Sequence, residues 1–249
     1  SLGLSVMVFS GYTKAELEVL QLPGSVQLLQ YTDEPIDFTD EQRKAIMQSL
    51  YDCKILDPAC GSGAFPMGLL NRMIDVLCRI SPNEKVYDLK LAIIENCIYG
   101  SDIQSIAAQI TKLRFFISLI CDCEKDASKP NFGIPTLPNL ETKFVAANSL
   151  IAKKKQASHC LFENPDIEPT KQKLIEVRHE HFSAKTANRK STLREKDKVL
   201  REKLARLLAD DKDFAPEDAI QLAAWNPYDQ NTVADTALNW ESSVSFQPK

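Results

Sequence analysis

Hydrophobic positions along this chain follow two different periods, and the change between them marks its elements. Between residues 39 and 151, short apolar runs bounded by turn residues alternate with longer stretches whose apolar positions recur every three or four residues. Thr39, followed by Glu41 and Gln42, reads as the N-cap of a helix reaching about Leu50. Lys54-Ile55-Leu56 then predicts a short strand ended by Asp57-Pro58, and past a two-glycine turn Met67, Leu69, Leu70, Met73, Ile74 and Leu77 keep helical spacing. The unit repeats: Leu89 to Asn96 closes a helix, Cys97 to Asp102 is a strand ending in an acid, Ile106 to Ile120 is a long helix with an apolar face, and Lys143 to Ala147 is a third strand. Strands alternating with helices predict an α/β fold on a parallel, doubly wound sheet.

Four segments follow from these patterns. Residues 1–46 read as a mostly helical lead-in, helical at Ala15 to Leu20 and broken at Pro23-Gly24 and Asp33-Glu34-Pro35; residues 47–151 form the α/β domain. In 152–215 the strand–helix rhythm stops. Leu174, Val177 and Phe182 mark one stripe and Leu193, Leu200 and Leu207 a heptad-spaced other, which predicts a charged helical hairpin, in keeping with the lack of glycine after Gly133. Residues 216–249 are polar and irregular, expected to be ordered in part at most.

Composition narrows the class. At 249 residues, 44% hydrophobic and 26% charged, the chain is ordinary globular material, and no run approaches the roughly 18 apolar residues of a membrane span. Without a basic leader the expected location is cytoplasmic, with no membrane partner. Seven cysteines, at 53, 60, 78, 97, 121, 123 and 160, are an odd number scattered through apolar runs and read as reduced core thiols. Cys121 and Cys123 have no second ligand pair at zinc spacing, so no metal is expected. The net charge of -4 conceals a division: residues 151–215 hold 16 Lys+Arg against 11 Asp+Glu, and the rest of the chain sums to -9. The basic hairpin can track a phosphate backbone or be merely a solvated surface.

The chemistry concentrates in Asp57-Pro58-Ala59-Cys60-Gly61-Ser62-Gly63-Ala64-Phe65, set between a strand and a helix. Two glycines let a ligand approach the main chain at the strand's carboxyl end. A dinucleotide fingerprint wants a third glycine where Pro66 stands, and a P-loop wants Gly-Lys-Ser/Thr. The acid at the turn repels pyrophosphate and attracts a cation, which favours the sulfonium and amino groups of S-adenosylmethionine. A nicotinamide-dependent dehydrogenase and a non-enzymatic nucleic-acid or protein interaction module remain open.

The nonapeptide closely resembles motif I of adenine-N6-specific DNA methyltransferases, above all the type IIG and type I restriction–modification enzymes. Tyr99-Gly100-Ser101-Asp102-Ile103 is similar to the family's motif II and Ala147-Asn148-Ser149-Leu150 to its motif III, in the family's order. The resemblance implies a partial Rossmann-like, class I S-adenosylmethionine-dependent methyltransferase sheet with the helical hairpin as an insertion. It makes Asp57, Pro58, Ala59, Cys60, Gly61, Ser62 and Gly63 the methionine cradle, with Phe65 beside the cofactor. Asp102 becomes the ribose acid, Ile103 an adenine wall, and Asn148 with Ser149 the adenine-edge contact. DNA is the implied partner of the complete protein, and RNA adenine or protein glutamine methyltransferases share such motifs. The family's catalytic Asn/Asp-Pro-Pro-aromatic motif is not found; Asn226-Pro227-Tyr228 has one proline, and Asn164-Pro165-Asp166 lacks the aromatic. No catalytic residue is therefore assigned, and the chain reads as a fragment spanning motifs I to III, inactive alone. The upstream Gly11-Tyr12-Thr13-Lys14 only echoes a family element.

Overall fold

The computed structural model describes residues 39–149, 164–210 and 224–229. The readings of Ala15 to Leu20, Gly11-Tyr12-Thr13-Lys14, Cys160 and most of 216–249 lie outside the described residues. Helix α1 (Asp40–Asp52) opens with a capping box: Thr39 Oγ1 accepts from Gln42 N, and Gln42 Oε1 accepts from Thr39 N. Strand β1 (Ile55–Asp57), helices α2 (Ala64–Ile80) and α3 (Val86–Asn96), strand β2 (Ile98–Asp102), helix α4 (Ser105–Cys121) and strand β3 (Phe144–Ala146) follow. The hairpin α5 (Ile167–Ser183) and α6 (Ala187–Asp210) follows, and residues 224–229 pack beside it.

The three strands form one parallel sheet with β2 in the centre. Ile55 pairs with Ile98, and Gly100 with Phe144. Alternation along each strand divides the side chains between two faces. Ile55, Ile98 and Phe144 enter the main core with Leu70, Leu77, Ile93 and Phe115, whereas Val145 packs on the other face with Leu56, Tyr99 and Trp225. Both faces are thus covered, as a parallel sheet requires.

Two expected faces differ from the sequence pattern. On α4 the residues facing inward are Ala107, Ala108, Thr111, Lys112, Phe115 and Leu119, and the stripe Ile106, Ile110, Leu113, Ile117 and Ile120 is exposed. The helix is apolar almost all round, so periodicity alone does not say which face meets the sheet. On α6 the expected heptad of Leu193, Leu200 and Leu207 is rotated: Leu193 is buried, but Asp197, Arg201, Leu204 and Leu208 continue the inward stripe. A polar cluster replaces part of that core. Asp197 accepts from Arg178 Nε at 2.6 Å and Arg201 Nε at 2.7 Å, and Arg201 Nη1 donates to the Trp225 carbonyl.

The hairpin is docked on the α/β unit. Phe182 lies in the main core, and buried Asn139, from the loop before β3, donates its amide to the carbonyls of His181 at 2.7 Å and Ala184 at 3.0 Å. The His181 carbonyl also accepts from the C-cap Ala184 N at 3.1 Å, so Asn139 adds a second donor where the last carbonyls of α5 lack helical partners. Among the described residues no helix is long and apolar enough to cross a membrane, and no group of three or more His, Cys, Asp or Glu is arranged to hold a metal.

Candidate functional site

The site is assembled at the carboxyl edge of the sheet. β2 runs two residues past β1, since Asp57 pairs with Gly100, so the turn after Asp57 lies against the end of β2. Cys60 N donates to the Ser101 carbonyl at 2.9 Å and Gly61 N to Asp102 Oδ2 at 2.9 Å, which continues the ladder through the turn. The other carboxylate oxygen of Asp102 accepts from Gln104 N at 2.9 Å, so Asp102 also caps the entry to α4. Each oxygen retains acceptor capacity, because a carboxylate offers about four lone-pair sites.

Left-handed backbone occurs where the glycines stand: φ is +53° at Gly61 and +84° at Gly63. A Cβ at Gly63 would meet Thr111 side-chain atoms at 2.8 Å, whereas at Gly61 it would meet nothing within 4 Å. One glycine is enclosed and the other faces open space. Pro66 is the third residue of α2 and has no N–H, which leaves this helix start a poorer phosphate cradle.

Burial, and the neighbouring Asp102, raise the Asp57 carboxyl above its ordinary range, with Ala59 N–H opposing at 3.2 Å. Cys60 is buried, and burial together with Asp57 and Asp102 pushes its thiol up to about 11. It is a packed thiol at neutral pH, with no thiolate character.

Ser149 Oγ donates to the Pro58 carbonyl at 2.6 Å and lies 3.0 Å from Ser101 Oγ, which itself reaches the Pro58 carbonyl at 3.3 Å. Ser149 is thus a strut between the end of β3 and the turn. Asn148 precedes it and is half-buried. Phe65 and Ile103 flank the turn with 43% and 59% of their surfaces exposed. Exposed apolar side chains beside paired carboxylates suit a ligand that is part cationic and part aromatic.

Three positions that sequence reasoning missed complete the support. Thr111 of α4 is fully buried and donates from Oγ1 to the Gly61 carbonyl at 3.1 Å. Gly100 lets Cys60 and the Phe144 ring close in, since a Cβ there would lie 2.9 Å from the ring and 3.1 Å from Cys60 Sγ. Gly100 and Ser101 enter the sequence reading only as members of the second motif, with no role of their own.

Asn226-Pro227-Tyr228 lies on the hairpin, not in the cradle. The Tyr228 ring packs 4.8 Å from the His181 ring centroid, with Arg194 5.2 Å above it, and Tyr228 N donates to Asn226 Oδ1 at 3.2 Å. Burial and the adjacent Asp197 raise its phenol well above the ordinary value. The ring faces are occupied by the hairpin. Much of the hairpin's positive charge is likewise paired, as Arg178 and Arg201 with Asp197, Arg189 with Glu180, and Arg194 with Glu141.

In comparisons with known proteins, no family model matches the chain and no solved structure gives a significant match. A protein of Methanocaldococcus jannaschii that carries the provisional name of a type II restriction enzyme and methyltransferase is 38% identical over 112 residues. The aligned part is 43% of this chain and 9% of that protein.

Proposed function

We propose that this chain carries the S-adenosylmethionine-binding part of a DNA adenine-N6 methyltransferase of a restriction–modification system, on a partial Rossmann-like sheet. The observation that carries this reading is the pairing of Asp57 and Asp102 at the carboxyl ends of adjacent parallel strands, around a turn whose Gly61 N–H is fixed on Asp102 at 2.9 Å. The likeness to the archaeal protein supports the restriction–modification assignment. Adenine as the acceptor base, and a type IIG or type I organisation, rest on the resemblance of the three motifs. A cytoplasmic location is part of the proposal.

The residues fit the cofactor. Asp57 receives the amino group, the N–H groups of Ser62, Ala64 and Phe65 would take the methionine carboxylate, since those of Ala59, Cys60, Gly61 and Gly63 are engaged within the protein, and Asp102 accepts the ribose hydroxyls. Ile103 and Phe65 cover the adenine, with Asn148 at its edge. Bound S-adenosylmethionine supplies an electrophilic methyl group; the residues described here bind and orient it, and the group that positions the acceptor amine is assigned to none of them.

Isothermal titration of the 249-residue chain with S-adenosylmethionine, S-adenosylhomocysteine and NAD tests the reading. Binding of the first two, weakened at least tenfold by Asp102→Ala in protein of unchanged circular dichroism, is the expected result. Tight NAD binding without S-adenosylmethionine binding would overturn it. A duplex offered with an RNA or a glutamine peptide to the complete protein separates DNA methylation from the nearest alternatives.

A further inference from the structure

The amino ends of the strands carry a second cluster, on the opposite edge of the sheet from the cradle. Lys54 precedes β1, Lys143 precedes β3, and Glu95 and Asn96 close α3 ahead of β2. Helix α5 crosses this edge. Between it and the strands lies a cavity of about 140 Å³, with Lys54, Glu95, Tyr99, Lys143, Arg178 and His179 in its wall. That is far above the roughly 10–15 Å³ one water needs, and it accommodates a tetrahedral anion of five heavy atoms.

Charge in the wall is not balanced. Glu95 is the single carboxylate of the lining, and His179 Nδ1 engages it at 3.1 Å. Arg178, which like Arg201 binds Asp197, also bonds the Tyr228 side chain. Lys54 Nζ donates to the Asn96 carbonyl at 2.7 Å; Lys143 Nζ donates to the Glu95 carbonyl and sits 3.9 Å from the Tyr99 ring centroid. Those acceptors are neutral dipoles, so Glu95, itself engaged by His179, is the one carboxylate of the lining that offsets the two ammonium charges. Burial first, then Lys54, and also Arg178, push the Lys143 ammonium down to about 7, against Glu95 and Cys97.

We propose that this cavity binds a compact oxyanion, a phosphate or sulfate group, with Lys143 and Arg178 at its floor and Lys54 and His179 at its mouth. The floor residues are only 7% and 8% exposed. A duplex lying on the surface reaches Lys54 and His179 but not these two, so the ligand is inorganic phosphate or the terminal phosphate of a small molecule. The anion removes the mutual repulsion of Lys54, Lys143 and Arg178 and holds Lys143 in its charged form.

Sulfate is the probe, because its charge is constant across the useful pH range. Titration and thermal unfolding of the 249-residue chain in sodium sulfate, against sodium chloride of equal ionic strength, should show specific binding at pH 6. Affinity should fall at least fivefold by pH 8.5 as Lys143 loses its proton while Arg178 stays charged and Tyr99 and Cys97 stay neutral. His179→Gln should keep that dependence. Lys143→Met should weaken sulfate at least tenfold at pH 6. Lys54→Met, at an exposed position where folding is not at issue, should weaken it severalfold, and a 12-base-pair duplex should not release it. A sulfate effect no larger than chloride, or one equal in both lysine variants, overturns the site. Release by the duplex overturns the compact ligand.

Discussion

Gly63 is constrained twice, by its φ of +84° and by Thr111, which leaves no room for a Cβ. Gly61 shares the left-handed backbone but faces open space. Gly61→Ala should therefore cost only about 1–2 kcal/mol of left-handed strain, and Gly63→Ala about 1–3 kcal/mol more for the overpacking. Urea unfolding compares them, and Thr111→Ser in the Gly63→Ala background should recover part of the steric share; no recovery would sink the packing account. Lys143 makes a second prediction, of opposite sign. Its unfolded-state value is 10.5 and its folded value about 7, so between these pH values the unfolded chain binds more protons and stability rises with pH. The cost of the buried ammonium is full below pH 7 and fades towards 10.5. Lys143→Met should thus stabilise the protein by about 1–3 kcal/mol at pH 6 in urea unfolding, with little gain left at pH 10. The motif turn was legible in the sequence because Asp57, Gly61 and Gly63 act through local backbone geometry. Thr111 and Gly100 were not, since their roles arise only when α4 and β3 close on the turn from 40 or more residues away.

Among the elements, the hairpin departs furthest from its sequence reading. A search for apolar stripes finds Leu174, Phe182 and Leu193 but passes over Arg178, His181, Asp197 and Arg201, which share the same inward faces. Polar residues read as solvated until their partners on the other helix are known. The tail had the same difficulty: Trp225 sits in a stretch with turn composition, yet it is buried against Val145 and Ala147 because Arg201 holds its carbonyl. The helices and strands of 39–149, by contrast, were legible to within a few residues from period and turn chemistry. Asp197 has no exposed surface and serves two guanidiniums. Asp197→Ala should cost about 3–5 kcal/mol, because it leaves two cations facing each other in the interior. Replacing the whole triad with Arg178→Met, Asp197→Leu and Arg201→Met should recover much of that loss. If the triple variant is no more stable than the single one, the cluster acts through hydrogen bonds to its surroundings instead of its own charge balance.

Across the whole molecule, the sheet is polar from one edge to the other. Asp57 and Asp102 lie at the carboxyl edge, Lys54 and Lys143 at the amino edge. Glu95 is outnumbered by cations at the amino edge, so the two proposed ligands, a cation at the cradle and an oxyanion below α5, each offset the charge that prevails there. They are separated by the length of β2, five residues, or about 16 Å at 3.3 Å per residue. Through water-like surroundings a unit cation and a divalent anion at that distance attract by about 0.5 kcal/mol before screening, and a Debye length of about 10 Å at 0.1 M salt cuts this severalfold. Direct electrostatics thus predict that saturating sulfate changes S-adenosylmethionine affinity by well under threefold relative to chloride of equal ionic strength. Titration of the cofactor in both salts measures it, and the thermal shifts of the two ligands should add. Coupling of tenfold or more requires a conformational link. The path for one is visible: β2 joins Tyr99, in the cavity wall, to Asp102, in the cradle, through Gly100 and Ser101, and Gly100 pairs with both neighbouring strands. A Gly100→Ala variant, which forces Phe144 and Cys60 apart, would then change the coupling, whereas in independent sites it weakens the cradle and leaves sulfate binding unaltered.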